Sequence, residues 1–451
     1  MKNQQGKDLT VGPSAKLILG FAVPMLLGFL FQQFYNMVDT IVVGKCLGVE
    51  ALASVGSTGA VNFMINGFCI GVCSGFAIPV AQKFGAGDYK GLRKFVANAV
   101  FLSAIFSVIM TVTVGFFCMN ILQWMKTPQD IIQGAYDYIF IIFMGIPITY
   151  LYNLLAGIIR SLGDSRTPVY FLLLSSVMNV ILDFFTILFL NMGVGGPAAA
   201  TVVSQGISAV LCLAYMVKRY PILRMTRDER KPDLLMLKAL CIMGVPMGLQ
   251  YSITAIGSVV LQTAVNALGS LAVAAVSTGS KISLFFCCPF DALGGTMATF
   301  AGQNVGAGKL ERVREGVWAA SLIGFAYSFV SLALQFFWGR QIAFLFLDAG
   351  ETAVIDQIYQ FLIGNALFYC ALTLVNVVRF TIQGMGFSVF AILAGVCEMA
   401  ARAVVGFFLV PRYGFLPACF ASPLAWVCAD LFLLPAFFHC LKKLKKLLGK
   451  G

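Results

Sequence analysis

Acidic residues inside long apolar stretches are the side chains in this sequence best suited to chemistry. Residues 179–190 read NVILDFFTILFL, and Asp183 is the only charged residue among them. Asn179 precedes it by four positions, so on a helix the two share one face. A charge inside a bilayer costs about 3 kcal/mol or more unless it is paired, hydrated or protonated. Asp183 is therefore a candidate for binding a proton or a cation.

A second acid ends a polar stripe near the start of the chain. Residues 32–39 read QQFYNMVD, in which Gln32, Tyr35 and Asn36 lie seven, four and three positions before Asp39. At helical spacing all four side chains project from one face. A single polar stripe on an otherwise apolar helix indicates a surface that is turned away from lipid.

The elements that carry these residues are long enough to cross a membrane. The chain has 451 residues, of which 59% are hydrophobic and 11% charged, whereas soluble domains carry roughly 25% charged residues. A membrane helix needs about 20 apolar residues. We predict an all-α polytopic membrane protein with these twelve transmembrane spans: 16–43, 52–82, 94–119, 133–159, 168–190, 196–217, 235–262, 273–303, 316–338, 356–380, 387–410 and 416–440.

The basic residues indicate how these spans are oriented. Of the 31 Lys and Arg residues, the loops on one side hold only Lys45, Lys126, Arg340 and Arg412. Such an imbalance predicts cytoplasmic N- and C-termini in a cell inner (plasma) membrane protein. The net charge of +12 thus indicates anionic lipid headgroups as the partner, and not nucleic acid. The basic tail, residues 441–451, is either an interfacial helix or a plain anchor.

An internal repeat divides the chain into two halves. LGVEALASV at 47–55 and QKFGAG at 82–87 return as LGSLAVAAV at 268–276 and QNVGAG at 303–308, both offset by 221 residues. Pro24 and Pro246 also correspond, with a slip of one residue. Six spans plus six predict two parallel-repeat lobes around a central cleft. We assign 1–217 to the N-lobe, 218–233 to a cytoplasmic linker and 234–440 to the C-lobe. The GAG loops lack a following Lys-Ser/Thr, so they predict tight turns.

Three polar stripes reach a similar depth in the first half. At 1.5 Å per residue, Asp39 and Asp183 lie about 6 Å and 10 Å below the outer ends of the first and fifth spans. Thr201, the first residue of a stripe continued by Gln205 and Ser208, lies about 8 Å below the outer end of the sixth span. Two carboxylates in one low-dielectric site cannot both be ionised cheaply. The pair could exchange a proton or, with oxygens from Asn179 and Thr201, hold Na⁺. Alternatively, Asp183 only hydrogen-bonds a neighbouring helix.

The second half lacks counterparts of both acids. It carries instead Glu398 and Arg402, whose i,i+4 spacing predicts either an internal ion pair or a contact with substrate. Lys281 and Asp291 share the eighth span without sharing a face, and their positions allow contact with the cleft. Asp430 has no role that the sequence indicates.

Several segments together resemble one known family. PMLLGFLFQQFYNMVDTIVVGKCLG, RSLGDSRTP, NVILDFFTI and QNVGAGKLERVRE are similar to segments of the multidrug and toxic compound extrusion (MATE) family, over nearly the whole chain. Acids confined to the N-lobe resemble the DinF-like branch. The resemblance implies that Asp39, Asn179, Asp183 and Thr201 couple transport to an ion and that Pro24 bends the first helix. The NorM-like branch has an acid in the seventh helix, where this chain has Gln250, and we expect Gln250, Lys281, Glu398 and Arg402 as the candidate C-lobe contacts.

The resemblance implies a secondary antiporter that exchanges H⁺ or Na⁺ for amphipathic, often cationic, compounds by alternating access. No cofactor or catalysis is implied, and we expect a monomer. We also consider a lipid-linked oligosaccharide flippase, for which only Lys281, Arg379 and Arg402 are available as cations, and an intramembrane hydrolase that uses Asp39 and Asp183. The expected substrate-cavity residues are Gln32, Tyr35, Asn36, Asn153 and Gln205.

Overall fold

The first half of the chain consists of eight helices. The computed structural model describes residues 6–344 and 352–449, and within those ranges it contains no strand. The helices of this half are α1 Ser14–Leu47, α2 Val49–Gly85, α3 Tyr89–Phe116, α4 Cys118–Trp124, α5 Ile132–Met144, α6 Ile146–Ser161, α7 Arg166–Leu188 and α8 Gly195–Arg219. Two short 3₁₀ turns, Pro221–Leu223 and Asp228–Arg230, follow in the linker.

The second half is also helical throughout its described residues. Its helices are α9 Leu234–Asn266, α10 Ser270–Gly306, α11 Leu310–Ala343, α12 Thr352–Ala366, α13 Tyr369–Gly384, α14 Val389–Val404, α15 Val410–Tyr413 and α16 Phe415–Leu447. A π-helical turn, Val405–Leu409, joins α14 to α15. Pro411 lies just after this turn, and its missing N–H removes one helical hydrogen bond there.

The predicted spans correspond to these helices. Ten helices are long and apolar enough to cross a membrane, and two bent pairs raise the number to twelve if each pair is one span, among the described residues. The fourth predicted span is the pair α5–α6, bent by 46°, and the tenth is α12–α13, bent by 50°. Gly145 and Pro147 mark the first bend, where proline cannot donate a helical hydrogen bond. The all-helical fold class is confirmed.

The internal repeat is visible in the backbone. Helices α2 and α10 both have 37 residues, and their ends are offset by the same 221 positions. Each follows a glycine with positive φ, Gly48 at 89° and Gly269 at 98°. Gly87 and Gly308 repeat the relation at 69° and 68°, in the left-handed region that glycine adopts without strain. The two GAG loops are therefore tight turns between helices.

Two compact units make up the chain. The first consists of residues 1–8 and 27–248, and the second of residues 9–26 and 249–451. Helix α1 changes from the second unit to the first after Leu26, and α9 changes from the first to the second after Gly248. Each unit is a group of residues that lie close together in space. The lobe boundaries at 217 and 234 remain predictions.

Glycines bring α2 and α9 close together within the first unit. A Cβ on Gly71 would lie 2.5 Å from the Met247 carbonyl oxygen, and one on Gly75 would lie 2.5 Å from Gly244 Cα. Gly244 and Gly248 have the same four-residue spacing on α9. Small residues at this spacing let two membrane helices approach to backbone contact. The start of α9 is thereby fixed against α2.

The basic tail continues the last helix. Helix α16 runs without a break to Leu447, so most of residues 441–451 is helical. Within the second unit, Lys445 Nζ lies 2.6 Å from Glu311 Oε1.

Candidate functional site

Helices α1, α7 and α8 carry the predicted coupling residues. The carboxylate of Asp164 accepts backbone hydrogen bonds from Arg166 and Thr167 at the start of α7. It also accepts one, at 2.6 Å, from the Tyr220 hydroxyl just after α8. Because an acid satisfies the free N–H groups of a helix start, Asp164 fixes both where α7 begins and how it lies against α8.

Close packing sets the distance between these helices. A Cβ on Gly28 of α1 would lie 3.1 Å from Val169 of α7, and one on Gly196 of α8 would lie 2.9 Å from the Thr186 hydroxyl of α7. Neither glycine leaves room for a larger side chain. Helix α7 therefore contacts both α1 and α8.

Thr201 is the centre of one hydrogen-bond group. Its hydroxyl accepts a hydrogen bond of 3.1 Å from Asn179 Nδ2, and the Tyr35 hydroxyl lies 3.3 Å from the same oxygen. The structure thus brings together one residue from each of the three stripes. Asn179 is buried, and its Oδ1 has no hydrogen-bond partner among the described residues.

The two acids also meet. The side chains of Asp39 and Asp183 adjoin and interact with each other, and Asp183 is fully buried. In the described part of the chain, no donor reaches either oxygen of Asp183 or Oδ1 of Asp39. Neither acid forms an ion pair with a described Lys or Arg. A shared proton or a bound cation would satisfy these oxygens.

One further residue lies beside the pair. Tyr138 of α5 is buried and within electrostatic range of both acids and of Tyr35. Sequence reasoning missed it, although a tyrosine in the apolar run YIFIIFM, like Tyr35 in its own stripe, was a usable signal.

The predicted cavity residues fall into two groups. Asn153 and Gln205 are both linked to Thr149: Asn153 Nδ2 donates to the Thr149 carbonyl at 2.8 Å, and the Thr149 hydroxyl donates to Gln205 Oε1 at 3.2 Å. Gln32 is half-buried and Asn36 exposed, and neither donates to the acid pair. Of the five predicted cavity residues, Tyr35 is the one whose side chain lies within hydrogen-bonding distance of a predicted coupling residue, Thr201, in the described part of the chain.

The second unit contains a buried charge cluster. Glu398 pairs with Arg379 of α13 and, at 3.5 Å, with Arg402 of α14. Asp430 of α16 is buried and within electrostatic range of Arg379. The i,i+4 ion pair is present as expected, but Arg379 is an additional partner that helical spacing could not reveal because it lies on another helix.

The remaining C-lobe candidates are dispersed. Gln250 is buried and accepts a hydrogen bond of 2.6 Å from Gln383. Lys281 is exposed and forms no ion pair among the described residues. Asp291 is also exposed and accepts a hydrogen bond of 3.4 Å from Asn376.

Comparison with known proteins gives one consistent result. A family model described as MatE matches residues 24–185 and 246–408, one segment in each half. The chain is 31% identical to "Probable multidrug resistance protein YoeA" of Bacillus subtilis over 346 residues, 74% of each chain. It is 27% identical to "Probable multidrug resistance protein YpnP" of the same organism over 366 residues, 80% of each chain.

Solved structures show the same fold. The outward-facing conformation of a multidrug resistance MATE family transporter of the MOP superfamily superimposes with a TM-score of 0.91, covering 99% of both chains at 22% identity. The match to this family, together with helices long and apolar enough to cross a membrane, identifies a multi-pass membrane transporter and not an enzyme. The chain belongs to the MATE family of multidrug efflux transporters.

Proposed function

We propose that this transporter is an antiporter that exchanges H⁺ or Na⁺ for small amphipathic, often cationic, organic compounds. It acts in the plasma membrane as a monomer, with both termini in the cytoplasm, where its basic loops face anionic lipid headgroups. It needs no cofactor beyond the coupling ion. Within the N-lobe, Asp39 and Asp183 bind that ion, with Asn179 and Thr201 beside them.

The observation that carries this proposal is a pair of adjoining carboxyl groups, Asp183 fully buried and Asp39 half-buried, with no basic partner among the described residues. Without a bound proton or cation, the pair carries up to two negative charges. Their repulsion is strong because the protein interior has a low dielectric constant. Binding an external proton or Na⁺ lowers this repulsion. An organic cation lowers it in the same way. The ion and the substrate therefore compete for one negative site, which is the physical requirement for exchange.

The two coupling ions make different use of the surrounding oxygens. A proton needs only the two carboxyl groups, since one neutral acid can donate to the other. Na⁺ is a hard cation that takes several oxygen ligands. Asn179, one helical turn before Asp183, has an unpartnered Oδ1 and donates to the Thr201 hydroxyl, and these two oxygens are the further ligands in this proposal. The site is suited to both, so the experiment imposes the two gradients separately.

Pro24 gives the first helix a place to bend. It lies inside α1, and its missing N–H leaves the carbonyl of Gly20 without its usual helical donor. A change of charge at Asp39, four turns further along α1, alters how that half of the helix packs. We propose that α1 bends at Pro24 when the ion binds, which displaces the substrate outward. A fixed kink at Pro24 would instead be insensitive to the ion.

The buried cations do not favour the flippase. Diphosphate recognition needs several free cationic groups in the cavity, whereas Arg379 and Arg402 both pair with Glu398. Lys281 alone is left. The hydrolase is excluded because the chain belongs to a family of transporters.

Transport into inside-out vesicles tests the proposal. The vesicle membrane contains the protein. Uptake of tetraphenylphosphonium, an amphipathic cation, is measured with either a pH gradient or a Na⁺ gradient imposed alone. We expect one gradient to drive uptake in the wild type and neither to do so in Asp39→Asn or Asp183→Asn. Asp130→Asn, which makes the same change at an exposed acid in the turn before α5, is the control and should transport normally. If both acid variants retain gradient-driven uptake, the proposal fails.

A further inference from the structure

The first unit contains a large cavity away from the acid pair. Its volume is about 810 Å³, and its lining comes from α3, α6, α8 and the linker. Small-ligand pockets have volumes of about 300–1,000 Å³. The walls are mainly aliphatic, with Val100, Leu154 and Val217 among the lining residues. None of the predicted coupling or cavity residues lines it. The mechanism proposed above makes no use of this cavity.

The linker forms the end wall of the cavity and is firmly held. Arg93 of α3 donates two hydrogen bonds to Glu229, at 2.9 and 2.8 Å, and Asn98 Oδ1 accepts from the Asp233 backbone N–H at 2.8 Å. The Arg93 guanidinium lowers the pKa of Glu229 to about 2, so the pair stays ionised at neutral pH. Leu223 and Met225 of this held segment contribute to the lining.

Two arginines of the linker lie at the linker end of the cavity. Arg224 and Arg230 line the cavity and are exposed, and neither forms an ion pair in the described part of the chain. The nearby acids are already occupied, because Asp228 pairs with Lys231 and Glu229 with Arg93. The guanidinium groups are therefore free to bind an anion, and their planar fork matches the geometry of a phosphate.

The dimensions correspond to one leaflet of a bilayer. Along α3 the lining runs from Val96 to Ser107, and eleven residues rise roughly 16 Å, about half of a 30 Å hydrocarbon core. Val100 and Val217 are 49% and 58% exposed, so the cavity is open at its apolar side. A cationic end on an apolar cavity one leaflet deep has the polarity of an anionic phospholipid.

We propose that this cavity binds an anionic phospholipid from the leaflet on the linker's side, with its acyl chain along α3 and its phosphate at Arg224 and Arg230. The lipid would fill the space between α3, α6 and α8 and attach the linker to the membrane surface. This site is independent of the proposed antiport, because its occupant is not transported.

Native mass spectrometry of the detergent-purified full chain tests the site. The protein is titrated with phosphatidylglycerol or with phosphatidylcholine of the same acyl chains. We expect tighter binding of phosphatidylglycerol, and a loss of about fivefold or more in that preference in Arg224→Gln/Arg230→Gln. Arg224→Lys/Arg230→Lys keeps the charge and should retain most of it. Arg219→Gln/Arg227→Gln removes the same charge from linker arginines outside the cavity and should change the affinity less than twofold.

A second variant tests the apolar part. Ala104→Phe narrows the cavity without changing charge, and we expect it to reduce the number of bound phosphatidylglycerol molecules by one. The proposal is overturned if both lipids bind equally, if the two double glutamine variants lose affinity to the same extent, or if Ala104→Phe binds as many lipids as the wild type. Binding of tetraphenylphosphonium reports separately on the coupling site and should be unchanged in all of these variants.

Discussion

Replacing Asp183 with asparagine should leave the protein at least as stable as the wild type while abolishing transport. Asp183 is fully buried, and no donor reaches its oxygens in the described part of the chain. An unsatisfied buried polar group costs about 1–3 kcal/mol, and a charged one costs more. Asparagine has nearly the same shape, and its amide can donate to Asp39. We expect the free energy of unfolding to rise by roughly 1–3 kcal/mol.

Asp164 provides a matched control of opposite sign. Its oxygens accept hydrogen bonds from the Arg166 and Thr167 backbones, the Thr167 hydroxyl and the Tyr220 hydroxyl. The amide of asparagine can accept only some of these. Asp164→Asn should therefore lower the free energy of unfolding by about 1.5–3 kcal/mol.

The assay is unfolding of purified protein in detergent, followed with increasing temperature or denaturant at pH 7, together with vesicle transport. Function and stability then change in opposite directions in Asp183→Asn, as is typical of a group that is retained for function. The reasoning is refuted if Asp183→Asn unfolds as easily as Asp164→Asn, because Asp183 would then be a structural residue.

Three further predictions concern other parts of the structure. Thr201→Val removes the oxygen to which Asn179 donates, so the apparent affinity for the coupling ion in vesicle transport should fall about tenfold, whereas Thr201→Ser should retain it. Arg379→Gln leaves buried Glu398 without its nearer partner and should cost about 3–5 kcal/mol of unfolding free energy, partly recovered by adding Glu398→Gln. Gly75→Leu should prevent assembly of α2 with α9, because its Cβ would lie 2.5 Å from a backbone atom, whereas Gly59→Leu on α2 meets open space; yields of monodisperse protein measure both.

Each of these predictions has a result that would contradict it. An unchanged ion dependence in Thr201→Val would mean that the hydroxyl does not contribute to the coupling site. An Arg379→Gln protein as stable as the wild type would mean that Glu398 is neutral or hydrated. Equal yields of the two glycine variants would mean that α2 and α9 do not need backbone contact.

The helical fold was predictable because hydrophobic run length and internal repetition are local properties of the sequence. Helices α2 and α10 have the same length, and their ends are 221 residues apart. Breaks inside spans were less visible. The fourth span bends at Gly145, where glycine and proline together were a usable signal. The tenth bends near Phe368, where no proline lies and Gly364 falls inside α12, so the sequence signal was weaker.

The N-lobe group was predictable for a geometric reason, and its function stays a prediction. Helical rise converts position along a span into depth, so stripes on three spans could be compared without knowing how the helices pack. Depth does not give the direction around a helix axis, which is why Gln32 and Asn36 shared the Asp39 stripe but are not bonded to the pair. A partner on another helix, such as Arg379, was beyond this reasoning, whereas Tyr138 stood out as a polar group in an apolar run but could not be assigned to the pair.

The most direct test of the central claim is a count of protons released when substrate binds. Purified protein in weakly buffered detergent solution is mixed with saturating tetraphenylphosphonium, and the pH change is recorded with and without Na⁺. The account predicts release of about one proton per bound cation, or displacement of Na⁺ in its place, and no release from Asp39→Asn/Asp183→Asn. Tight substrate binding by the wild type that releases neither ion would contradict it.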